Sequence, residues 1–164
     1  DRAKTYSGGM KRRLNLAAAI VHDPPLVLLD EPTVGVDPQS RNALYDIIRG
    51  MKAAGRTVLY TTHYMEEAQR LCDRVGIIDH GKLLALDTVD RLIAAHGGTS
   101  VVVVQRDGAD GIPAEERIPT ADPVAVVSQE LAATSARAQA RGLRIERPDL
   151  EAVFLNLTGR TLRD

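Results

Sequence analysis

Two neighbouring carboxylates, Asp30 and Glu31, directly follow the apolar run from Leu26 to Leu29. Four apolar residues in a row predict a short strand that is buried on both faces, as in a parallel sheet. Open α/β sheets bind ligands beyond the carboxyl ends of their strands, so a ligand site is expected here. One carboxylate could hold Mg²⁺, and the other could act as a general base for attack of water on a phosphate. An isolated acidic pair more often lies in a solvated loop without a function, so the neighbouring motifs must decide between this interpretation and a catalytic one.

A second stretch suited to phosphate chemistry precedes this strand, and it reads Tyr6-Ser7-Gly8-Gly9-Met10. Ser7 is a good N-cap residue, and the sequence predicts a helix from about residue 9 to residue 22. The free amides and the dipole of a helix N-terminus favour a phosphate. A simple capped helix after a glycine turn is the alternative interpretation.

Two more candidates follow the strand. Asp37 precedes Pro38, a pattern typical of a helix N-cap followed by proline at the first helical position. His63 comes directly after a strand predicted over residues 56–61, in which Val58, Leu59 and Tyr60 are expected to be buried. His63 should therefore lie at the same sheet edge as the two carboxylates. A purely structural role is the alternative for both residues.

In their order and spacing, four stretches resemble the ATP-binding subunit of an ABC transporter. They are Tyr6 to Met10 (the signature motif), the strand ending in Asp30 and Glu31 (Walker B), Gly35-Val36-Asp37-Pro38 (the D-loop) and Thr61-Thr62-His63 (the switch histidine). The resemblance implies that Asp30 holds Mg²⁺ and that Glu31 and His63 are catalytic. It also implies nucleotide contacts from Ser7, Gly8, Gly9, Met10 and Asp37 at the seam between two subunits. Met10 stands where the family usually has glutamine, and Val36 where leucine is more usual.

The same resemblance predicts the fold class and the division of the chain. We expect an α/β fold, the C-terminal portion of a P-loop NTPase sheet with a small α+β appendage. Residues 1–98 would form the ATPase part and residues 99–164 the accessory domain. No Gly-x-x-x-x-Gly-Lys-Ser/Thr phosphate loop occurs in the sequence. We therefore expect this chain to be the C-terminal part of a longer protein and to be inactive by itself.

The implied activity is ATP hydrolysis with Mg²⁺ that powers export through a separate integral membrane permease. The partners would be that permease and a second ATP-binding subunit, identical or related, at the cytoplasmic face of the cell membrane. The closing segment, residues 148–159, resembles the C-termini of exporter subunits linked to drug resistance and to polysaccharide or lipid export. Two alternatives stay open: a soluble ABC-type ATPase without a permease, and an inactive interaction module.

Composition narrows the choice of partner. The formal net charge is −1 and tryptophan is absent, so neither a basic footprint nor base-stacking aromatics indicate nucleic acid. No apolar run approaches the roughly 18 residues that a membrane span needs. Cys72 is the single cysteine, so an internal disulfide is excluded and a reducing compartment fits.

Periodicity predicts the elements that position these residues. The first helix should bury Leu14, Ala17, Ala18 and Val21 and expose a polar face of Lys11, Arg12 and Arg13. Residues 74–79 and 82–86 should pair as a hairpin. A helix from Pro123 to about Arg141, with Val124, Val127, Leu131 and Ala138 on its apolar face, should end at Gly142. Asp149 should cap the last helix.

Overall fold

The chain divides into two compact units, residues 1–75 and residues 76–164. The computed structural model describes residues 3–107, 113–133 and 140–159. Helices and strands alternate in the first unit, as the sequence predicts for an α/β protein. The boundary that the sequence places between residues 98 and 99 lies inside the second unit. That functional division stays a prediction.

The first unit packs three α-helices around two strands. Its elements in chain order are a 3₁₀ turn at Ala3–Thr5, α1 at Gly8–Ile20, β1 at Leu26–Asp30, α2 at Pro38–Ala53, β2 at Thr57–Thr61 and α3 at Met65–Leu71. β1 and β2 are parallel, in a register that runs from Leu26 opposite Thr57 to Asp30 opposite Thr61. The carboxyl ends of the two strands therefore meet at one edge, as the sequence predicts.

The core of the first unit lies on one side of this strand pair. Buried side chains from β1, the three helices and the loop before α2 form it, namely Leu16, Val27, Leu29, Val36, Leu44, Tyr45, Ile48, Met51 and Leu71. Val58 and Tyr60 of β2 are partly buried and pack against this cluster. α2 supplies four of these residues, Leu44, Tyr45, Ile48 and Met51, at the spacing of an amphipathic helix.

The expectation that β1 is buried on both faces is wrong for this chain. Val27 and Leu29 are buried, whereas Leu26 and Leu28 are 52% and 67% exposed. The neighbouring strand behaves in the same way, because Leu59 is 58% exposed. Side chains alternate between the two faces of a strand, and within the first unit only one face carries packed helices.

The inner face of α1 also differs from the prediction. Leu16 is buried, whereas Leu14 and Val21 are 45% and 83% exposed. Ile20 packs against the core, and the half-buried Arg12 lies on the same side of the helix. A charged residue thus occupies the inner stripe, with its guanidinium bonded to backbone carbonyls, and the apolar alanines and Val21 face outward.

The second unit contains a hairpin, a three-stranded sheet and three helices among its described residues. They are β3 at Arg74–Asp79, which runs across the division, β4 at Lys82–Thr88, α4 at Val89–His96, β5 at Ser100–Asp107, β6 at Pro113–Thr120, α5 at Pro123–Ala133, β7 at Ala140–Glu146 and α6 at Leu150–Thr158. β3 pairs with β4 through the turn at His80 and Gly81, whose φ angles are both positive. β5 is the central strand of an antiparallel sheet with the order β6-β5-β7. No helix in the described parts of the chain is long and apolar enough to cross a membrane.

The helix expected from Pro123 to about Arg141 does not reach Arg141. α5 is described as Pro123–Ala133, residues 134–139 lie outside the described ranges, and Arg141 belongs to β7. Gly142 therefore ends no helix, and a Cβ added to it would lie 3.0 Å from Oε1 of Gln105 on the neighbouring strand. The glycine makes room for a cross-strand side chain. Val124 and Leu131, assigned to the apolar face, are 68% and 63% exposed.

Candidate functional site

Ser7 caps α1, as its sequence context predicts. The Ser7 Oγ accepts a hydrogen bond of 3.3 Å from the Met10 amide, and the Met10 side chain is 42% exposed. Since Oγ acts as acceptor in this bond, the Ser7 hydroxyl hydrogen stays available for a ligand. Gly8 is exposed, and its amide belongs to the first turn of the helix, where amides lack intrahelical partners.

Gly9 is a close-approach glycine that lets the first turn of α1 pack against the start of α2. A Cβ at this position would lie 2.6 Å from Ser40 Oγ and 3.3 Å from Asp37 Oδ2. A side chain here would force the two helix ends apart. The packing brings the predicted signature and D-loop residues together within one chain.

Asp37 caps α2, as predicted. Its Oδ1 accepts a hydrogen bond of 2.9 Å from the Ser40 amide. This bond, joined by a hydrogen bond from the Ser40 side chain, lowers the pKa of the Asp37 carboxyl below its ordinary value. Asp37 is exposed and thus carries its negative charge at the surface, beside the N-terminus of α1.

Glu31 and His63 meet beyond the ends of the parallel strands. The Oε1 of Glu31 lies 3.1 Å from Nδ1 of His63, and both side chains are about half exposed. Asp30, one residue earlier, accepts a hydrogen bond from the Thr61 hydroxyl. The structure therefore brings together the three residues that the sequence assigns to metal binding and catalysis, and it adds Thr61, which sequence reasoning did not single out.

The backbone of Glu31 adopts a conformation that non-glycine residues rarely take, with φ at +40°. Two hydrogen bonds of 3.1 Å hold its amide, one to the Thr61 carbonyl and one to the Thr61 hydroxyl. Such backbone strain persists where the surroundings over-determine it, and it is common at functional sites. The strained turn aims the Glu31 side chain at His63.

Arg12 fixes the segment after β1 from the other side. Its Nη2 donates to the Glu31 carbonyl at 2.7 Å, and its Nε donates to the Pro32 carbonyl at 2.9 Å. These two bonds tie α1 to the turn that carries the candidate base. Periodicity predicts Arg12 on an exposed polar face, and this prediction is wrong. Within the basic run over residues 11–13, no feature of the sequence distinguishes Arg12 from Lys11 and Arg13.

A buried carboxylate, Glu67, lies beneath the loops that carry Glu31 and His63. It is 2% exposed, and its oxygens accept hydrogen bonds from four hydroxyls, those of Thr33, Tyr45, Tyr60 and Thr62. Burial opposes ionisation of Glu67, but the four hydrogen bonds outweigh it, so its pKa lies below the ordinary value. The same burial and the neighbouring carboxylate raise the pKa of Tyr45 to about 12. Sequence reasoning missed Glu67.

The predicted site residues thus form two groups. Ser7, Gly9 and Asp37 lie at the two helix N-termini, and Asp30, Glu31 and His63 lie at the strand ends. No hydrogen bond or ion pair in the described residues joins side chains of the first group to side chains of the second. In those residues no cluster of three or more His, Cys, Asp or Glu could hold a metal ion. Mg²⁺ often uses one or two carboxylates together with substrate phosphates, and the exposed Asp30 fits that role.

Comparisons with known proteins identify the family of the chain. Residues 2–67 match the family model described as "AAA domain, putative AbiEii toxin, Type IV TA system". The chain is 41% identical over 184 residues to the Linearmycin resistance ATP-binding protein LnrL of Bacillus subtilis (strain 168), covering all of this chain and 59% of that protein. It is 38% identical over 182 residues to the Daunorubicin/doxorubicin resistance ATP-binding protein DrrA of Streptomyces peucetius, covering 98% and 54%. It is 40% identical over 177 residues to the Nod factor export ATP-binding protein I of Ralstonia nicotianae, covering 98% and 55%.

A solved structure supports the same assignment. The "Structure of ATP binding subunit of ABC transporter" is 34% identical, with a TM-score of 0.52, over 57% of this chain and 39% of that one. The chain spans about half the length of the curated relatives it matches. The sequence prediction of the fold class, a portion of an ABC-type ATPase, is confirmed. The chain belongs to the family of ABC transporter ATP-binding proteins.

Proposed function

We propose that the full-length protein containing this chain hydrolyses ATP to power export through a separate membrane permease. The observation that carries the proposal is the meeting of Asp30, Glu31 and His63 at the carboxyl ends of two parallel strands. The names of the relatives, which concern linearmycin resistance, daunorubicin/doxorubicin resistance and Nod factor export, support export as the direction of transport. This chain would contribute the signature, Walker B, D-loop and switch-histidine residues of the ATP site.

Glu31 would act as general base and His63 as its partner. As an imidazolium, His63 can donate its Nδ1–H to Glu31 Oε1 across the 3.1 Å contact and its Nε2–H to the γ-phosphate. Glu31, held by its own backbone bonds and by Arg12, would accept a proton from the attacking water. Phosphoryl transfer depends mainly on positioning and electrostatics, so this fixed geometry is the main contribution of the chain.

Asp30 would hold Mg²⁺ together with the nucleotide phosphates. Bound there, Mg²⁺ would supply positive charge that offsets the charge of the phosphates. The Thr61 hydroxyl, which donates to Asp30 Oδ1, orients the carboxylate at the strand end. A carboxylate oriented in this way would accept a metal without rearrangement of the strands.

The helix N-terminal group would act on the nucleotide of a second ATP-binding subunit. Ser7 would donate its hydroxyl hydrogen, and the amides of Gly8 and Gly9 would face the phosphate, with Met10 beside them. Asp37, which already occupies the same surface, would lie at the seam between the subunits. Sharing each site between two subunits would make dimer closure a condition for hydrolysis.

A role in transport would also require a partner in the membrane. An integral membrane permease would receive the ATPase at the cytoplasmic face of the membrane, where the protein would be peripheral. Residues 1–98 would belong to the ATPase domain and residues 99–164 to an accessory domain. The chain by itself would be inactive, because it contains no phosphate-loop motif. Co-purification of a permease with the full-length protein would support transport over a soluble ATPase role.

The proposal is tested by Glu31→Gln in the full-length protein. The amide keeps the shape of the side chain but cannot accept the proton, so steady-state ATP hydrolysis should fall by about 10²- to 10⁴-fold while ATP binding is retained. The matched control is Glu66→Gln, which alters an exposed glutamate whose described partner is Arg70. Hydrolysis by Glu31→Gln within a few-fold of the parent would refute the assignment.

A further inference from the structure

Five side chains below the catalytic loops form a hydrogen-bonded unit that the proposed mechanism does not use. This unit, the Glu67 cluster, consists of Thr33, Tyr45, Tyr60, Thr62 and Glu67. The Oε2 of Glu67 accepts from the Thr33 hydroxyl at 3.0 Å, the Tyr60 hydroxyl at 2.7 Å and the Thr62 hydroxyl at 2.9 Å. The Oε1 accepts from the Tyr45 hydroxyl at 2.8 Å.

The cluster needs Glu67 as an anion. A carboxylate can accept all four hydroxyl hydrogens, whereas a protonated acid would have to donate one hydrogen and so would lose one of the four bonds. The nearest described cation is Arg41, whose Nε lies 3.9 Å from Oε1, beyond hydrogen-bond distance. The buried charge is therefore stabilised mainly by oriented hydroxyls.

Two of the four hydroxyls belong to the loops that carry the candidate catalytic groups. Thr62 directly precedes His63, and Thr33 follows Glu31 by two residues. The parallel ladder ends where the Glu31 amide donates to the Thr61 carbonyl. Beyond that point, a single Glu67 oxygen joins the loop after β1 to the loop after β2.

We propose that Glu67 is a positioning residue that sets the separation of Glu31 and His63 by bonding Thr33 and Thr62 at once. This inference rests on the proposed function, since it assigns Glu67 a role in the same hydrolysis site. Tyr45 on α2 and Tyr60 on β2 anchor the shared carboxylate to the packed core. Loss of the carboxylate would allow the two loops to move relative to each other.

The test is Glu67→Gln in the full-length protein, with Glu66→Gln as the neighbouring exposed control. An amide presents a nitrogen where an acceptor oxygen is needed, so the hydroxyls must reorient and the loops shift. Misplacement by about 1 Å can cost about 100-fold in rate, so we expect kcat to fall by about 10- to 100-fold. The KM for ATP should change by less than about threefold, because a shift of Glu31 relative to His63 weakens transition-state contacts more than ground-state binding. Glu66→Gln should match the parent in both constants.

Thr62→Val and Thr33→Val keep the test decisive if Glu67→Gln fails to fold. Each removes one hydroxyl and preserves the branched shape, and each should lower kcat at constant KM. A purely structural role predicts instead a lower melting temperature with parental kcat per folded molecule. That result, or parental kcat in both threonine variants, would overturn the inference.

Glu31→Gln measured in parallel separates the two proposals. If Glu31→Gln abolishes hydrolysis while Glu67→Gln and the threonine variants match the parent, only the positioning role fails. If Glu31→Gln hydrolyses ATP like the parent, the proposed site itself fails, whatever Glu67→Gln does.

Discussion

The two units stabilise their charges in different ways. In the first unit, Glu67 has a side chain 3% exposed and is surrounded by hydroxyl donors. In the second unit, ion pairs cover one face of the three-stranded sheet, where Arg144 contacts both Glu115 and Glu146, and Arg117 contacts Glu146. These side chains are 37% to 54% exposed.

We infer from this comparison that the surroundings of a charged group determine its contribution to stability more than the number of its partners does. Glu67 has no hydrogen-bonded cation in the described structure, but its hydrogen bonds act in a medium from which water is excluded. The ion pairs on the sheet involve full opposite charges, but water and salt screen them. We expect substitutions to have large effects in the Glu67 cluster and small ones on the sheet.

The largest expected effect comes from Glu67→Ala. This change leaves two buried and two part-buried hydroxyls without their acceptor, and each unsatisfied buried group costs about 1 to 3 kcal/mol. Since repacking and water entry recover part of this cost, we expect a loss of about 3 kcal/mol or more in local stability. Hydrogen exchange of the peptide covering residues 57–71 should then accelerate by about 100-fold or more, because 1.4 kcal/mol corresponds to a factor of about 10. Unchanged exchange would show that the cluster contributes little to stability.

A second expectation concerns acid pH. The pKa of folded Glu67 is lowered from its ordinary value, because the hydrogen bonds from its four hydroxyl partners outweigh the opposing effect of burial. The folded state therefore binds fewer protons than the unfolded state, and the resulting stability is present above the ordinary pKa, about 4.3. It is lost as the pH falls through the lower folded pKa. Glu67→Gln cannot titrate, so exchange protection of residues 57–71 should fall more steeply with acid in the parent than in this variant. Parallel acid profiles would contradict the lowered pKa.

Sequence reasoning located the candidate catalytic group because this group depends on local motifs and on strand topology. The carboxyl ends of two parallel strands must meet, so Asp30, Glu31 and His63 had to lie near one another. Helix caps at Ser7, Asp37 and Asp149 were also predictable, because a cap depends on residues three positions apart.

The Glu67 cluster could not be found in the same way. Its members come from the loops after β1 and β2, from α2, from β2 and from α3, and an acidic pair at a helix start normally indicates exposed side chains. Glu66 and Glu67 are adjacent and chemically alike, yet one is 83% exposed and the other 3%. Tertiary packing causes this difference in exposure, and the sequence of the pair itself does not indicate it.

The smallest expected effect is on the charged sheet, where charge and side-chain stem can be tested separately. Arg117 and Arg144 lie on the strands that flank Val103, and both are its cross-strand neighbours. Val103 is fully buried, so we attribute part of its cover to the apolar stems of the two arginines.

Arg144→Met keeps a stem and removes the charge. It should change exchange protection of β5 and β7 by a few-fold at most, and that difference should vanish at high salt. Arg144→Ala also removes the stem, so it should weaken protection further, and this additional loss should persist at high salt. If both variants behaved alike and both differences disappeared with salt, the ion pairs rather than the stem would protect the sheet. A large, salt-independent effect of Arg144→Met would remove the contrast between the two units.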